Sequence, residues 1–269
     1  MKDPFVLATI LAHPDDETFG LGGTLIRYAD EGTLVHSLCL TQGEKGWNGD
    51  PDRPLVAPEE LGAKRAAELA EAGRRMGVTS TTCLTYPDGD LAGVAEDRVV
   101  RDIVRWVRKV RPDVVITWGP DGGYGHPDHI AAGERGLVAL ELAAIERHEL
   151  GLGAPHRVRR CYRFVQAADF VDGLKTINPQ FVEYMETLAV KPQRWTRDRL
   201  GAAIDISAVA DRKIEAMKAH ETQEPDLRAW IGARERIRWL FAEEVFIRQY
   251  PDPGGPPLET DLFAQLRSS

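Results

Sequence analysis

The sequence predicts an α/β fold in which helices cover both faces of a parallel sheet. Short apolar runs of strand length alternate with longer helical patterns over residues 1–150. The 269-residue chain is 43% hydrophobic and 28% charged, which is typical of a folded globular domain. Strands that alternate with helices form right-handed βαβ units, so we expect a Rossmann-like core.

The elements of this core follow one another with clear boundaries. The first strand is the run FVLATILA at residues 5–12, whose apolar character fits a parallel strand buried on both faces. The next helix ends at Gly32, because glycine adopts the left-handed backbone angles of a helix terminus without strain. Further strands are predicted at residues 34–41, 81–86 and 113–119. The helices are predicted at residues 20–32, 58–77, 97–110 and 130–148.

The pattern is looser beyond Gly151. Strands are predicted at residues 159–166 and 201–207, and helices at residues 207–223 and 227–243. No internal repeat or linker divides the chain. We therefore predict one domain over residues 1–269, made of a core at 1–150 and a C-terminal α/β extension at 151–269 that completes the pocket.

Composition excludes several classes of protein. The net charge of −8 argues against a nucleic-acid partner, because phosphate binding needs clustered Lys and Arg. No apolar stretch approaches the roughly 18 residues of a membrane span. The N-terminus makes a poor signal peptide, and Cys39, Cys83 and Cys161 are widely spaced, as in a reduced protein. These features predict a cytoplasmic protein and leave a homo-oligomer open.

Two histidine-containing loops follow predicted strands. The first, HPDDE at residues 13–17, follows the strand at 5–12, and the second, GYGHPDH at residues 123–129, follows the strand at 113–119. In open α/β sheets, ligands bind beyond the carboxyl ends of the strands. Although more than a hundred residues separate them in sequence, the two loops are therefore expected on the same rim of the sheet.

The residues of these loops suit a catalytic metal site. Catalytic zinc takes three protein ligands from His, Asp or Glu and leaves a position for water, and His13, Asp16 and His129 can supply such a set. Asp15, whose side chain diverges from that of Asp16, is then a candidate base. His126 and Tyr124 are candidate donors to a developing oxyanion. We predict one Zn²⁺ per chain, with Fe²⁺ or another divalent ion left open.

Other interpretations of the same residues are weaker. GLGG at residues 20–23 lacks the full spacing of a dinucleotide-binding loop. Two histidines and a carboxylate also bind iron in non-haem oxygenases, but those enzymes usually have all-β folds. A non-catalytic sugar- or nucleotide-binding module on the same fold is a further alternative, as is a metal-dependent amidase for another amide.

The motifs AHPDDE, GGT and GHPDH together resemble those of the PIG-L / LmbE-like family of zinc N-deacetylases. TQGEKG at 41–46, KRAAEL at 64–69 and DISAVADRKIEAMKAHETQ at 205–223 extend the resemblance over most of the chain. It implies a hydrolase that removes the N-acetyl group from an N-acetylglucosamine-type glycoside, giving acetate and a free amino sugar.

The resemblance also implies roles for individual residues. His13, Asp16 and His129 match the family's zinc ligands, Asp15 its general base, and His126 and Tyr124 the residues that assist the tetrahedral intermediate. The positions that match sugar-binding residues are Glu44, Arg65 and Asp88, together with the C-terminal His220.

Two points about the sugar-binding residues stay open at this stage. Gln42 departs from the arginine that is frequent at its position in the family, so the polar network near the sugar is expected to differ. Arg65 either binds the sugar or forms an ordinary solvent-exposed ion pair with Glu68 on the same helix.

Overall fold

A computed structural model describes residues 3–46, 56–146, 151–223, 227, 241–251 and 257–267. The helix predicted at 227–243 lies almost entirely outside these described residues, as does His148 at the end of another predicted helix. Within them, no helix is both long enough and apolar enough to cross a lipid bilayer.

The described residues form seven strands: β1 Val6–Leu11, β2 Leu34–Thr41, β3 Ser80–Tyr86, β4 Val114–Trp118, β5 Arg160–Val165, β6 Ala202–Asp205 and β7 Glu243–Tyr250. They pair into one sheet with the order β3-β2-β1-β4-β5-β7-β6. The four predicted core strands are present, and β1, β2, β3, β4 and β5 pair in parallel. The seventh strand, which the sequence analysis missed, pairs antiparallel with both of its neighbours.

Helices cover both faces of the sheet, as predicted. Within the described residues they are α1 Asp16–Phe19, α2 Gly22–Asp30, α3 Pro58–Met76, α4 Glu96–Val110, α5 Pro127–Ala143, α6 Ala168–Ile177, α7 Pro179–Thr187, α8 Ala210–Met217 and α9 Ala264–Arg267. The helices α2, α3 and α8 pack against one another on one face, and α4 packs on α5 on the other. This division follows from right-handed crossovers, since the chain moves outward from β1 to β3 and then returns to β4.

The helices at both histidine loops differ from the prediction. The helix predicted from residue 130 starts at Pro127, where proline suits the first helical position and the His126 side chain accepts a hydrogen bond from the Asp128 amide. In the first loop, a short separate helix, α1, begins at Asp16. Both loops therefore run directly into helix N-termini, where acidic side chains are stabilised.

The helices α6 and α7 were not predicted. The α7 N-terminus carries a recognisable signal, because the Asn178 side chain accepts a hydrogen bond from the Phe181 amide and Pro179 occupies the first position. The two helices follow β5, so they stand at the same rim of the sheet as the histidine loops.

A buried carboxylate of the C-terminal extension joins this extension to the core. The Glu244 carboxylate on β7 accepts hydrogen bonds from the Gly23 and Thr24 amides at 2.9 and 2.8 Å, which caps the N-terminus of α2. Lys213 Nζ on α8 lies 2.7 Å from Glu244 Oε1, and the two side chains are 1% and 3% exposed. The same carboxylate thus fixes three elements of the fold.

We predict that Lys213→Met lowers the free energy of unfolding by roughly 3–5 kcal/mol, because it leaves Glu244 as an unpaired buried charge. Its neighbour Arg212, which pairs with Asp30 at the surface, provides the matched control. Arg212→Met should cost at most about 1 kcal/mol. Urea unfolding of both variants measures the difference, and equal losses would contradict a structural role for the buried pair.

Candidate active site

The two histidine loops meet at the carboxyl ends of β1 and β4, where they were expected. His13 Nδ1 lies 3.1 Å from His129 Nε2. The Asp16 carboxylate completes the group, with Oδ1 at 3.2 Å from His129 Nε2 and Oδ2 at 3.9 Å from His13 Nδ1. All three side chains are buried. The structure therefore brings together the three residues predicted to bind a metal. His13, Asp16 and His129 are called here the cluster.

Asp16 is held in place by backbone groups of its own loop. Its Oδ2 accepts hydrogen bonds from the Ala12 and His13 amides at 3.1 and 2.9 Å. Burial alone would raise the pKa of Asp16, but the neighbouring His129 and His13 outweigh burial and hold this pKa well below its ordinary value. The carboxylate is thus ionised and points at both histidines.

Hydrogen bonds on the far side of each imidazole fix its tautomer. His13 Nε2 lies 3.0 Å from Asp88 Oδ1 and 3.3 Å from Asp128 Oδ2, so this nitrogen carries a proton and donates it. His129 Nδ1 donates to the Gly122 carbonyl at 3.0 Å. The remaining nitrogens, His13 Nδ1 and His129 Nε2, consequently face each other beside Asp16, where a proton or a bound cation would supply positive charge. Metal-binding histidines in proteins are oriented in the same way.

The surroundings of His13 favour such a positive charge. Burial by itself lowers the pKa of His13, but hydrogen bonds to Asp128 and Asp88 raise it to about 10. Two groups of potential ligands also have their donor atoms within 4.8 Å of one another, namely His13 with His126 and His129, and His13 with Asp88 and Asp128. The residue set therefore fits a divalent cation.

Asp128 is a site residue that the sequence analysis missed. It is fully buried, and besides its contact with His13 it accepts hydrogen bonds from the Gly89 and Leu91 amides at 2.7 and 3.0 Å. Its position between the two histidines of GHPDH could have indicated a role in the site. Asp128 therefore connects the β3–α4 loop to His13 and orients the His13 imidazole.

Asp15 differs from its neighbour Asp16 in backbone conformation and in contacts. Its φ of 113° lies in a region that residues other than glycine rarely adopt, so its side chain leaves the loop in another direction. Arg65 Nη2 binds Asp15 Oδ2 at 2.9 Å. Burial raises the pKa of Asp15 to about 7, although the Arg65 guanidinium opposes the rise. A carboxylate with that pKa is suited to accept a proton near neutral pH.

His220 supports Asp15 from beneath. Glu17 Oε2 accepts a hydrogen bond from the Asp15 amide at 3.0 Å, and Glu17 Oε1 lies 2.7 Å from His220 Nε2. Burial alone would lower the pKa of His220, but the Glu17 carboxylate raises it. Glu17 and His220 are both fully buried. His220 was expected to bind the sugar. The structure instead places it against Glu17, which holds the Asp15 amide.

Tyr124 and His126 lie beside the cluster as hydrogen-bond donors. Burial, together with Asp16 and Asp15, raises the pKa of Tyr124 well above its ordinary value, so its hydroxyl keeps its proton. Burial, together with His129 and His13, lowers the pKa of His126 to about 4, so this imidazole is neutral. His126 Nδ1 accepts a hydrogen bond from the Asp128 amide, so the proton of this neutral imidazole is on His126 Nε2, which can donate a hydrogen bond.

Of the residues expected to contact sugar, Arg65 and Asp88 form the wall beside the cluster, and Glu44 holds the Asp88 amide. The Asp88 amide donates to Glu44 Oε1 at 2.8 Å, and Asp88 Oδ2 accepts the Lys45 amide at 2.8 Å. Hydrogen bonding to His13 lowers the pKa of Asp88 to about 2 even though burial opposes this change.

Arg65 belongs to the same wall and is 3% exposed. It donates to the Gly43 and Pro14 carbonyls as well as to Asp15. The alternative of an exposed pair with Glu68 is wrong, since Glu68 instead accepts two hydrogen bonds from Thr222.

Two cavities meet at this cluster, and Asp15, Asp16 and Tyr124 line both. The larger, called here the polar cavity, has a volume of about 700 Å³. The smaller, called here the apolar chamber, has a volume of about 160 Å³. The polar cavity is also lined by His13, Lys45, Arg65, Asp88, His126 and Gln180. The apolar chamber is also lined by Phe19, Trp118, Phe164, Leu174, Phe181 and Phe241.

The chain is similar to known proteins over most of its length. Residues 8–140 match the family model described as PIG-L, GlcNAc-PI de-N-acetylase. The 1D-myo-inositol 2-acetamido-2-deoxy-alpha-D-glucopyranoside deacetylase of Streptomyces griseus subsp. griseus is 35% identical over 287 positions, covering 97% of this chain and 88% of the relative.

Solved structures show the same fold. The conserved protein TT1542 of Thermus thermophilus matches with a TM-score of 0.64 and 27% identity, covering 93% of this chain and 96% of that one. The N,N'-diacetylchitobiose deacetylase of Pyrococcus horikoshii matches with a TM-score of 0.66, covering 92% and 85%. At 24% identity the second likeness concerns the fold alone.

We predict that His220→Ala lowers the free energy of unfolding by roughly 3–5 kcal/mol, because Glu17 then remains buried without its charged partner. His156 is the control, since its Nε2 makes one hydrogen bond, to the Pro112 carbonyl, outside the site. His156→Ala should cost only about 0.5–1.5 kcal/mol. Urea unfolding compares the two variants, and a smaller loss in His220→Ala than in His156→Ala would show that Glu17 does not depend on His220.

Proposed function

The chain belongs to the PIG-L family of de-N-acetylases, and on that premise we propose that it deacetylates the N-acetylglucosaminide of inositol. The chain is a metal-dependent N-deacetylase that acts on an N-acetylglucosamine-type glycoside. The inositol portion is proposed because the Streptomyces griseus relative carries that substrate in its name and matches over 97% of this chain. The observation that supports the chemistry best is the pair of facing imidazole nitrogens beside Asp16.

The proposed metal ligands are His13, Asp16 and His129, and the proposed ion is one Zn²⁺ per chain. These residues fit a cation because His13 Nδ1, His129 Nε2 and the ionised Asp16 carboxylate converge, and a cation would take the place of the proton on His13. Asp16 is preferred over His126 as the third ligand, because its backbone hydrogen bonds already fix it toward both histidines. When bound, such an ion polarises an amide carbonyl and makes a water molecule acidic enough to lose a proton near neutral pH.

Asp15 is the proposed general base. It lines both cavities at the cluster, and its strained backbone turns its carboxylate away from the position of Asp16. Arg65 fixes the carboxylate on one side, and Glu17 fixes the Asp15 amide. Asp15 removes the proton of the attacking water and then delivers a proton to the departing amine nitrogen.

Tyr124 and His126 are proposed to stabilise the oxyanion of the tetrahedral intermediate. Each carries a proton on the atom available to the cluster, and neither is charged, so each can donate a hydrogen bond as negative charge develops. His126 is a weak candidate for the acid that protonates the amine, because its lowered pKa keeps it unprotonated at neutral pH. That proton transfer therefore falls to Asp15.

The sugar is proposed to occupy the polar cavity, with its hydroxyls toward Asp88, while Glu44 holds the Asp88 amide. Carboxylate oxygens have several acceptor sites each, so Asp88 can bind a hydroxyl while it holds His13 and the Lys45 amide. Arg65, with three protein partners, is proposed to act mainly through Asp15. A cytoplasmic location stays a prediction from composition.

We predict that Asp15 and Asp16 separate cleanly under mutation. Asp16→Asn and His129→Ala should lose most of the bound metal, because each removes a ligand. Asp15→Asn should keep the metal while kcat falls by roughly 10²–10⁴, the usual contribution of a general base. Metal analysis of the purified variants, together with kcat, gives the measurement.

His36→Ala is the matched control for these variants, because it removes an imidazole that hydrogen-bonds Ser80 on the neighbouring strand, away from the site. It should change neither metal content nor kcat. If Asp15→Asn loses the metal and Asp16→Asn keeps it, the two roles are exchanged. Loss of metal in His126→Ala alone would instead replace Asp16 by His126 in the ligand set.

Acetate release from defined substrates tests the proposed function. With Zn²⁺ supplied, we expect the inositol N-acetylglucosaminide to react with a higher kcat/KM than free N-acetylglucosamine, and an acetyl-lysine peptide to react far more slowly. Asp88→Ala should lower kcat/KM for the glycoside. Equal rates for the peptide and every sugar would exclude a sugar-specific enzyme.

A further inference from the structure

The apolar chamber has no role in the mechanism above, yet it opens on the reacting groups. Asp15, Asp16, His129 and Tyr124 line it, six aromatic and aliphatic side chains form most of the remainder, and Gln166, Asn178 and Gln223 add polar groups. Trp118 stacks on the His129 ring with 3.9 Å between centroids, so the apolar lining reaches the cluster itself. Such a lining suits an uncharged ligand group that is joined to the reacting carbon.

The position of the chamber identifies that group. An amide has an amine side and an acyl side, and the reacting carbon lies between them. The polar cavity, with charged walls and about 700 Å³, suits the amino sugar on one side of the cluster. The acyl group must then extend from the same carbon toward the other opening, which is the apolar chamber.

We propose that the apolar chamber is an acyl-binding subsite that accepts N-acyl groups longer than acetyl. This inference rests on the proposed function and extends its substrate class to N-acylglucosaminides. The reaction is unchanged: the oxygen of water bonds to the acyl carbon, the C–N bond breaks, and both protons of the water pass to the nitrogen, so that a carboxylate and the ammonium form of the amino sugar result.

Volume decides how long the chain can be. An apolar protein cavity of about 150 Å³ holds a benzene molecule, which has six carbons. The chamber, at about 160 Å³, therefore has room for several carbons beyond the carbonyl, whereas acetyl places one methyl group in it. Each methylene moved from water into such a lining is worth roughly a fourfold gain in kcat/KM if the transition state buries it fully.

Leu174 offers a way to change the chamber without changing the reacting groups. It lies on α6, is 1% exposed and contributes to the chamber wall, and it is neither a proposed ligand nor a proposed proton carrier. Leu174→Phe reduces the space and Leu174→Ala increases it. The two variants should therefore shift the preferred acyl length in opposite directions.

The experiment measures kcat/KM for N-acetyl, N-propionyl, N-butanoyl and N-hexanoyl glucosaminides with the Zn²⁺-loaded protein. We expect the value to rise roughly two- to fourfold for each added carbon up to butanoyl. The ratio of butanoyl to acetyl hydrolysis should fall at least about fivefold in Leu174→Phe and should be kept or raised in Leu174→Ala. This ratio is independent of the fraction of folded enzyme. Leu137→Phe, on α5 outside the chamber lining, should leave it unchanged.

The outcomes separate the two hypotheses. Hydrolysis of acetyl with at least a tenfold loss at butanoyl, and no effect of either Leu174 variant on the ratio, would overturn the acyl subsite while the deacetylase stands. Failure to release any acyl group from any glucosaminide would overturn the proposed function itself.

Discussion

Burial of negative charge around His13 is the constraint on which the rest of the structure depends. Asp16, Asp88 and Asp128 are each at most 5% exposed, and all three contact this one imidazole. Carboxylates so buried are stable only with hydrogen-bond donors and positive charge around them. Backbone amides of the β1–α1, β2–α3 and β3–α4 loops supply the donors, and a bound cation would supply the charge. The conformation of these loops is therefore determined by the buried carboxylates to which their backbone amides donate.

The core and the extension make different contributions to this cluster. The core places the histidines, because β1 and β4 are adjacent parallel strands whose carboxyl ends share a rim. The extension supplies support and enclosure. His220 neutralises Glu17 beneath Asp15, while Leu174 on α6 and Phe181 on α7 wall the apolar chamber. Glu244 on β7 accepts hydrogen bonds from the Gly23 and Thr24 amides at the N-terminus of α2, so a buried carboxylate that pairs with Lys213 fixes the extension to the core.

The two neighbouring aspartates show how environment separates chemically identical groups. Asp16 faces two imidazoles and two backbone amides, and its pKa is low. Asp15 has one guanidinium partner, and burial dominates, so its pKa is raised to about 7. The positive φ of Asp15 is the physical origin of this difference, because it sends the two side chains toward different surroundings. A ligand and a base can thus be adjacent in sequence.

The sequence by itself determined the parts of this protein that depend on local pattern and general topology. Apolar runs of strand length predicted β1 to β4, and right-handed crossovers then required HPDDE and GHPDH to share one rim of the sheet. Residue chemistry at that rim indicated a metal site.

Tertiary structure decided what depends on distant partners. The direction of β7 is set by pairing with β5 and β6, and the burial of Arg65 is set by three loop partners far from it in sequence. His220 and Asp128 gain their roles from Glu17 and His13, which are 203 and 115 residues away. Such contacts leave no periodic trace in a single sequence, because the energy of a buried charge depends on which groups the fold places around it.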